Sequence, residues 1–241
     1  MGDIEQYLGQ LRLKGHEGLE RGASADLLRR ISTPELRFKA KLHGTSLLRP
    51  VARRKVRAIL RRPGPLRVNL GSGSRPIEGW VNVDLVGMGA EVAWNLAHGP
   101  PFPPGSVDAV FLEHVLEHFL AVDAMGVLRQ AHEMLRPGGV VRVAVPDFGR
   151  YMTSYASDAS FVEQNRPRRP TTLLAVAEVI TCHGHRSVWD GTTMVKVLEE
   201  IGFVDCAVRP FGDSRLEPAP DTPARELESV YVEGITQKGG A

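Results

Sequence analysis

Leu66–Leu85 reads LRVNLGSGSRPIEGWVNVDL: an apolar run, a Gly-Ser-Gly break at 71–73, and a second apolar run that closes on Asp84. The pattern predicts strand, tight turn, strand. Glycine accepts positive φ and carries no Cβ, so a turn built on Gly71 and Gly73 lets backbone pass close to a bound molecule. An acidic side chain at the tip of the next strand can accept hydrogen bonds from both hydroxyls of a ribose. The two features together point to a nucleoside-containing ligand. The glycine pair alone fits a strand-turn-strand without a ligand equally well, so the reading leans on the segments that follow.

Spacing narrows the ligand. A dinucleotide fingerprint needs a third glycine and about 20 residues to its acidic partner, with a helix N-terminus for the pyrophosphate. Here Pro76 stands at the third glycine position and only 13 residues separate Gly71 from Asp84. A single Gly-x-Gly turn instead suits a nucleoside with an amino-acid tail and no phosphate. VNLGSG followed by GWVNVDL resembles the first two motifs of the class I S-adenosylmethionine-dependent methyltransferases. Further along, EHVLEHF (113–119), LRPGG with the apolar run after it, and ESVYVEGI (228–235) resemble segments of one branch of that family. The resemblance covers roughly residues 66–236; the first 62 lie outside it.

The resemblance implies a Rossmann-like α/β fold: a mostly parallel seven-stranded sheet with helices on both faces, plus an amino-terminal helical appendage. It also implies an S-adenosylmethionine site built from Asn69, Gly71, Ser72, Gly73, Asp84, Leu85, Asn95, Leu96, Glu113 and His114. Asn95 departs from the Asp common at the adenine position but still offers an amide donor and acceptor. S-adenosylhomocysteine is the expected product.

At 241 residues and 42% hydrophobic content the chain suffices for one substantial core with an appendage. Residues 3–32 and 34–62 carry apolar residues at helical intervals, with Pro34 and Pro50 as helix starts or breaks. Residues 1–62 hold 15 Lys and Arg against 6 Asp and Glu, and the remainder holds 15 against 22. A basic segment of this kind either contacts an anionic partner or is a solvated face docked on an acidic domain. The expected division is a basic helical appendage or lid over 1–62 and the methyltransferase domain over 63–241, with 148–190 as an acceptor-side insertion. No run of 18 apolar residues and no amino-terminal secretory pattern occurs. Cys182 and Cys206 lack metal-type spacing. A cytoplasmic protein without membrane contact, working as a homodimer, is the expectation.

Ser106–Leu112 predicts a strand running into Glu113-His-Val-Leu-Glu-His-Phe. On a helix, His114, Glu117 and His118 would share one face at i, i+3 and i+4. Their spacing also matches the His-x-x-Glu-His pattern of zinc hydrolases. That reading is set aside here, because the motif follows a buried strand of a nucleoside-binding fold and the sequence offers no evident further ligand. Ala121–Leu135 predicts a helix closed by the glycines of Arg136-Pro-Gly-Gly.

Methyl transfer from a sulfonium depends mainly on positioning. An alcohol acceptor must in addition lose its proton, which calls for a base with a pKa near the working pH. The candidates are His118 and His114, with Glu117 to orient one of them, and His185, paired with Asp190. The expected activity is O-methylation of a sugar or other small hydroxylated metabolite, such as a mannoside precursor of a methylated polysaccharide. Mg²⁺ is a possible companion without a legible ligand set, and no metal ligands are assigned. RNA methylation and a non-catalytic cofactor-binding role are the rival readings; nucleic acid is disfavoured because EHVL does not resemble the Asn/Asp-Pro-Pro-Tyr motif used on bases.

Overall fold

The computed structural model describes residues 34–237 together with Ile4 and Tyr7. The rest of the segment expected to be helical over 3–32 lies outside the described residues. Two helices, α1 (Pro34–Leu47) and α2 (Arg49–Ile59), precede the sheet, and both prolines sit where the chain can spare an amide hydrogen. Seven strands follow: β1 (Arg67–Leu70), β2 (Val81–Asp84), β3 (Val92–Ala93), β4 (Val107–Glu113), β5 (Leu135–Pro146), β6 (Phe203–Arg209) and β7 (Ser229–Thr236). Between them lie α3 (Ala121–Met134), α4 (Phe148–Ala156), α5 (Ser160–Asn165), α6 (Thr172–Thr181) and α7 (Gly191–Ile201).

The sheet order is β3-β2-β1-β4-β5-β7-β6, with β7 antiparallel to both of its neighbours and every other pairing parallel. This is the mostly parallel seven-stranded architecture expected. The order reverses at β1, whose neighbours are β2 and β4. In open α/β sheets the crevice outside the carboxyl ends of the strands at such a switch point is where ligands bind. The Gly71–Gly73 turn and the Glu113–His118 segment both leave the sheet there.

Alternation along the strands divides two cores. Val68, Leu70, Val110, Leu112, Val141, Val143 and Val232 face α2, α3 and α7, which fill the gap with Val56, Ile59, Leu128, Met134, Met194 and Leu198. Full burial of each such aliphatic side chain contributes roughly 1.5–3 kcal/mol. Helices were expected on both faces. Among the described residues the second face, carrying Phe111, Ala144 and Tyr231, is instead closed by connecting segments through Ile77, Trp80, Phe211 and Leu216. The β1–β2 connection spans only 71–80, too short for a crossover helix, and the Asn82 side chain pins it by bonding Ile77 N, Ile77 O and Trp80 O.

Two local expectations change. The segment 114–118 is not a helix: His114 adopts φ 52°, and only Leu116–His118 forms a single 3₁₀ turn before α3 starts at Ala121. The ladder explains this, because His114 N still donates to Ala144 O at 2.9 Å and so extends β4 by one residue. Nor do the glycines of RPGG cap α3. The helix passes directly into β5 at Leu135, which pairs with Val107, and Gly138 (φ 77°) lies in the irregularity before Val140 takes up the register with Ala109.

Candidate active site

The turn after β1 holds its shape through Asp84. Gly73 N donates to Asp84 Oδ2 and Leu85 N to Asp84 Oδ1, both at 2.6 Å. Burial still pushes the Asp84 carboxyl above its ordinary range, against the pull of those two amides and of Lys41. A Cβ on Gly71 (φ 72°) would stand 2.4 Å from a Val115 methyl, whereas one on Gly73 (φ 55°) would meet nothing. The first glycine therefore lets the turn close on the β4 segment and the second leaves space above it. Ser72 Oγ is buried there with no hydrogen-bond partner. A cradle open at Gly73 with an orphan hydroxyl fits a bound nucleoside with an amino-acid tail.

The described amino-terminal helices close the other end of this region. Thr45 Oγ1 accepts from Val86 N at 2.9 Å, just past Asp84. A small pocket there is lined by Thr45, Ser46, Arg49, Trp94, Asn95 and His98. Asn95 borders it while its side chain accepts from Ala97 N at 3.0 Å. Leu96 lies in the main core.

Past the carboxyl end of β4, the 3₁₀ turn sets Glu117 inside the protein with 1% of its surface exposed. His114 Nδ1 stands 3.4 Å and His185 Nε2 4.0 Å from Glu117 Oε1, and the rings of His118 and His185 meet edge to face at 5.1 Å between centroids. The strap carrying His185 is tied to the turn: Arg186 N and Ser187 N donate to Glu117 O, Ser187 Oγ donates to Leu116 O, and Trp189 Nε1 donates to Ser187 Oγ. The helical face expected for His114, Glu117 and His118 is absent, yet the turn and the strap bring all four side chains together.

Each ring is held by a neighbour. His185 Nδ1 donates to Val179 O at 2.5 Å, so Nε2 carries the lone pair. His114 Nε2 bonds Ser229 Oγ at 2.8 Å. Burial lowers all three imidazoles, His118 to about 4 and His114 well below its usual value, so they are neutral at pH 7. Burial lifts Glu117 in the opposite sense, to about 8, and neither of its carboxyl oxygens has a hydrogen-bond partner. Beside this group lies a narrow crevice, closed to water in this conformation, lined by Glu117, Pro146, Phe148, Val179, His185, Ser187, Val188 and Trp189.

Three expected residues serve elsewhere. Asn69 is buried on the second face and donates to Asn82 Oδ1 at 2.9 Å. The Glu113 carboxyl accepts from Thr222 N and Thr222 Oγ1 at 3.0 and 2.5 Å, which anchors the β6–β7 connection. Asp190 caps α7 by accepting from Thr193 N at 2.7 Å, and the carboxyl beside His185 is that of Glu117. Ser229 and Ser187 were not singled out from sequence. They reach the site only because β7 inserts beside β5 and because the strap returns to the 3₁₀ turn, and no local pattern announces either.

Residues 85–143 match the family model described as a methyltransferase domain. Among solved structures, a possible histamine N-methyltransferase from Thermotoga maritima is similar at 18% identity and TM-score 0.48, covering 83% of this chain and 97% of its own. A methyltransferase from Archaeoglobus fulgidus follows at 14% and 0.46, with 80% and 94% covered. The S-adenosylmethionine-dependent methyltransferase SibL follows at 19% and 0.49, with 98% and 70% covered. No curated protein sequence matches significantly. The match to the methyltransferase-domain model spans 59 of the 241 residues and falls in a seven-stranded sheet with its glycine turn and acidic strand end, and together these support an S-adenosylmethionine-dependent methyltransferase. Among the described residues, no helix is long and apolar enough to cross a membrane.

Proposed function

We propose that the protein is an O-methyltransferase acting on a hydroxyl of a sugar or another small hydroxylated metabolite, with a mannoside precursor of a methylated polysaccharide as the favoured acceptor. The observation that carries this reading is the buried Glu117–histidine group beside the glycine turn. Neutral imidazoles are held there by their far ring nitrogens, at the strand ends where an acceptor must meet the cofactor. Gly71, Ser72, Gly73, Asp84, Leu85 and Asn95 would hold the cofactor, with α1 and α2 as the cover at its adenine end. The chain's Arg-, Ala-, Gly- and Pro-rich composition, which resembles that of high-GC actinobacterial proteins such as the mycobacterial sugar O-methyltransferase of methylmannose polysaccharide synthesis, supports the choice of acceptor.

S-adenosylmethionine supplies the methyl group: the acceptor oxygen forms a bond to carbon as the carbon–sulfur bond breaks, and the electron pair goes to sulfur. The chain's task is to orient that oxygen, exclude water and take its proton. His118 or His185, each neutral at pH 7, accepts the proton, and the α4–α6 segment covers the acceptor. That segment has its own small core of Tyr151, Phe161, Val162, Val176 and Val179, so it can vary without disturbing the sheet. A cytoplasmic location and a homodimeric state belong to the same proposal; exposed Leu47 and Val51 offer apolar surface to a second copy.

The test is labelled-methyl transfer from S-adenosylmethionine into a panel of mono- and oligosaccharides, with bulk RNA as control. Label in a sugar supports the reading, and label only in RNA overturns it. An RNA substrate has one observation in its favour, the exposed Arg53, Arg54 and Arg57 of α2, but that helix packs at the β3 edge rather than at the β4–β5 end where Glu117 lies.

A further inference from the structure

We propose that Glu117, His118 and His185 form a binding site for one divalent transition-metal ion, with Zn²⁺ as the reference ion. One ligand atom from each residue lies within 4.8 Å of the other two. Atoms bound to a single ion at about 2.0–2.2 Å stand roughly 3.4 Å apart when tetrahedral, so side-chain rotation must close the group by about 1 Å or a little more.

Three features separate this group from an ordinary polar cluster. Glu117 is 1% exposed and neither carboxyl oxygen has a partner, so a buried anion-forming group lacks the donors that burial normally demands. The ring of His185 is fixed through its far nitrogen, with Nδ1 donating to Val179 O and Nε2 left toward Glu117. Metal-binding histidines are held in this way, by a carbonyl that sets tautomer and ring orientation. His114, itself bonded to Ser229 Oγ, braces Glu117 Oε1 from the opposite side at 3.4 Å.

The set takes Glu117 and His118 from the His-x-x-Glu-His stretch, leaves His114 outside as a brace, and draws its third ligand from 67 residues beyond His118, on the strap that carries His185. Imidazole and carboxylate donors select a borderline ion such as Zn²⁺ over Mg²⁺, which prefers an all-oxygen shell. Three protein ligands leave one position open, and the crevice lined by Phe148, Val188 and Trp189 lies beside it. With the ion bound, the lone pairs of His118 and His185 are taken up and neither is the base; an acceptor hydroxyl in the open position would be acidified by the ion and lose its proton to solvent, a role that, unlike the binding itself, rests on the proposed O-methyl transfer and takes the place of its imidazole base.

The experiment titrates the chelator-stripped, dialysed full chain with Zn²⁺ by calorimetry and with Co²⁺ by visible absorption. The expected result is one ion per chain and Co²⁺ bands of a low-symmetry, four-coordinate site. Glu117→Gln and His185→Ala should each weaken Zn²⁺ binding at least tenfold. His132→Ala, on α3 with its ring edge to face with Phe203, should leave it unchanged. Circular dichroism melting confirms that each variant is folded. Absence of saturable binding, or binding that survives both site variants, overturns the proposal. Metal binding is read on the protein alone, so methyl transfer into sugar without metal binding breaks this inference and spares the acceptor reading. Metal binding without sugar methylation does the reverse.

Discussion

Two groups of charged residues are buried in this protein, and they are finished differently. On the second face of the sheet, Arg142 has no exposed surface and spends all five of its N–H donors: Nε and Nη2 on Asp221, Nη1 on Glu233, and the remaining two on the carbonyls of Asp213 and Pro210. The carboxylates are equally complete, since Asp221 also receives Gly212 N, and Glu233 receives Ser214 Oγ and Arg215 N. At the strand ends, Glu117 is as deeply buried and receives nothing. A satisfied network fixes one arrangement of the chain, here the β6–β7 connection against the sheet. An unsatisfied buried carboxyl costs stability, and this cost is what the proposed ligand at Glu117 would offset.

Breaking the first region should give the largest effect. Arg142→Met leaves Asp221 buried without its cation and takes from Glu233 the nearest of its three arginines, and should cost about 3–5 kcal/mol, seen as a lower urea midpoint. The opposite result is expected at the second region. Glu117→Gln keeps the shape of the neutral acid that burial favours, so stability should stay within about 1 kcal/mol while kcat/KM for methyl transfer falls roughly 100-fold or more. Equal stability losses in the two variants would erase the contrast.

A smaller effect separates the cofactor side from the acceptor side. Asp84→Ala removes the acceptor of two backbone amides in the glycine turn and should weaken S-adenosylhomocysteine binding at least tenfold by calorimetry, about 1.5–3 kcal/mol. The smallest concerns Asp190. Asp190→Ala should cost about 1 kcal/mol as a lost helix cap and leave the rate of methyl transfer unchanged. The amide of Thr193 holds this carboxyl below its ordinary value. The cap's contribution is therefore present above the normal carboxylate pKa and fades as pH falls through the lowered one, a component of acid unfolding that the variant should lack.

Legibility of the site followed the range of the contacts. Gly71, Gly73 and Asp84 were readable because a positive-φ turn between two strands and an acid at a strand tip are local patterns. The polar residues of EHVLEH were visible as chemistry but misplaced in geometry. A 3.6-residue repeat of side chains says nothing about whether β4 runs one residue further and turns through a left-handed His114. The pairing of His185 with Asp190 rested on proximity along the chain, and the helix cap claimed that carboxyl first.

By itself the amino-acid sequence determined the sheet-forming segments, the nucleoside-type turn and the class of chemistry, since each depends on residue type and on spacing within about 20 residues. Only the tertiary structure decided which carboxyl meets which imidazole. That outcome depends on β7 entering beside β5, which brings Ser229 to His114, and on the 183–189 strap folding back onto the Glu117 turn. Such contacts join residues 68 to 115 positions apart, and their partners are selected by packing and hydrogen-bond satisfaction across the whole sheet rather than by any local pattern.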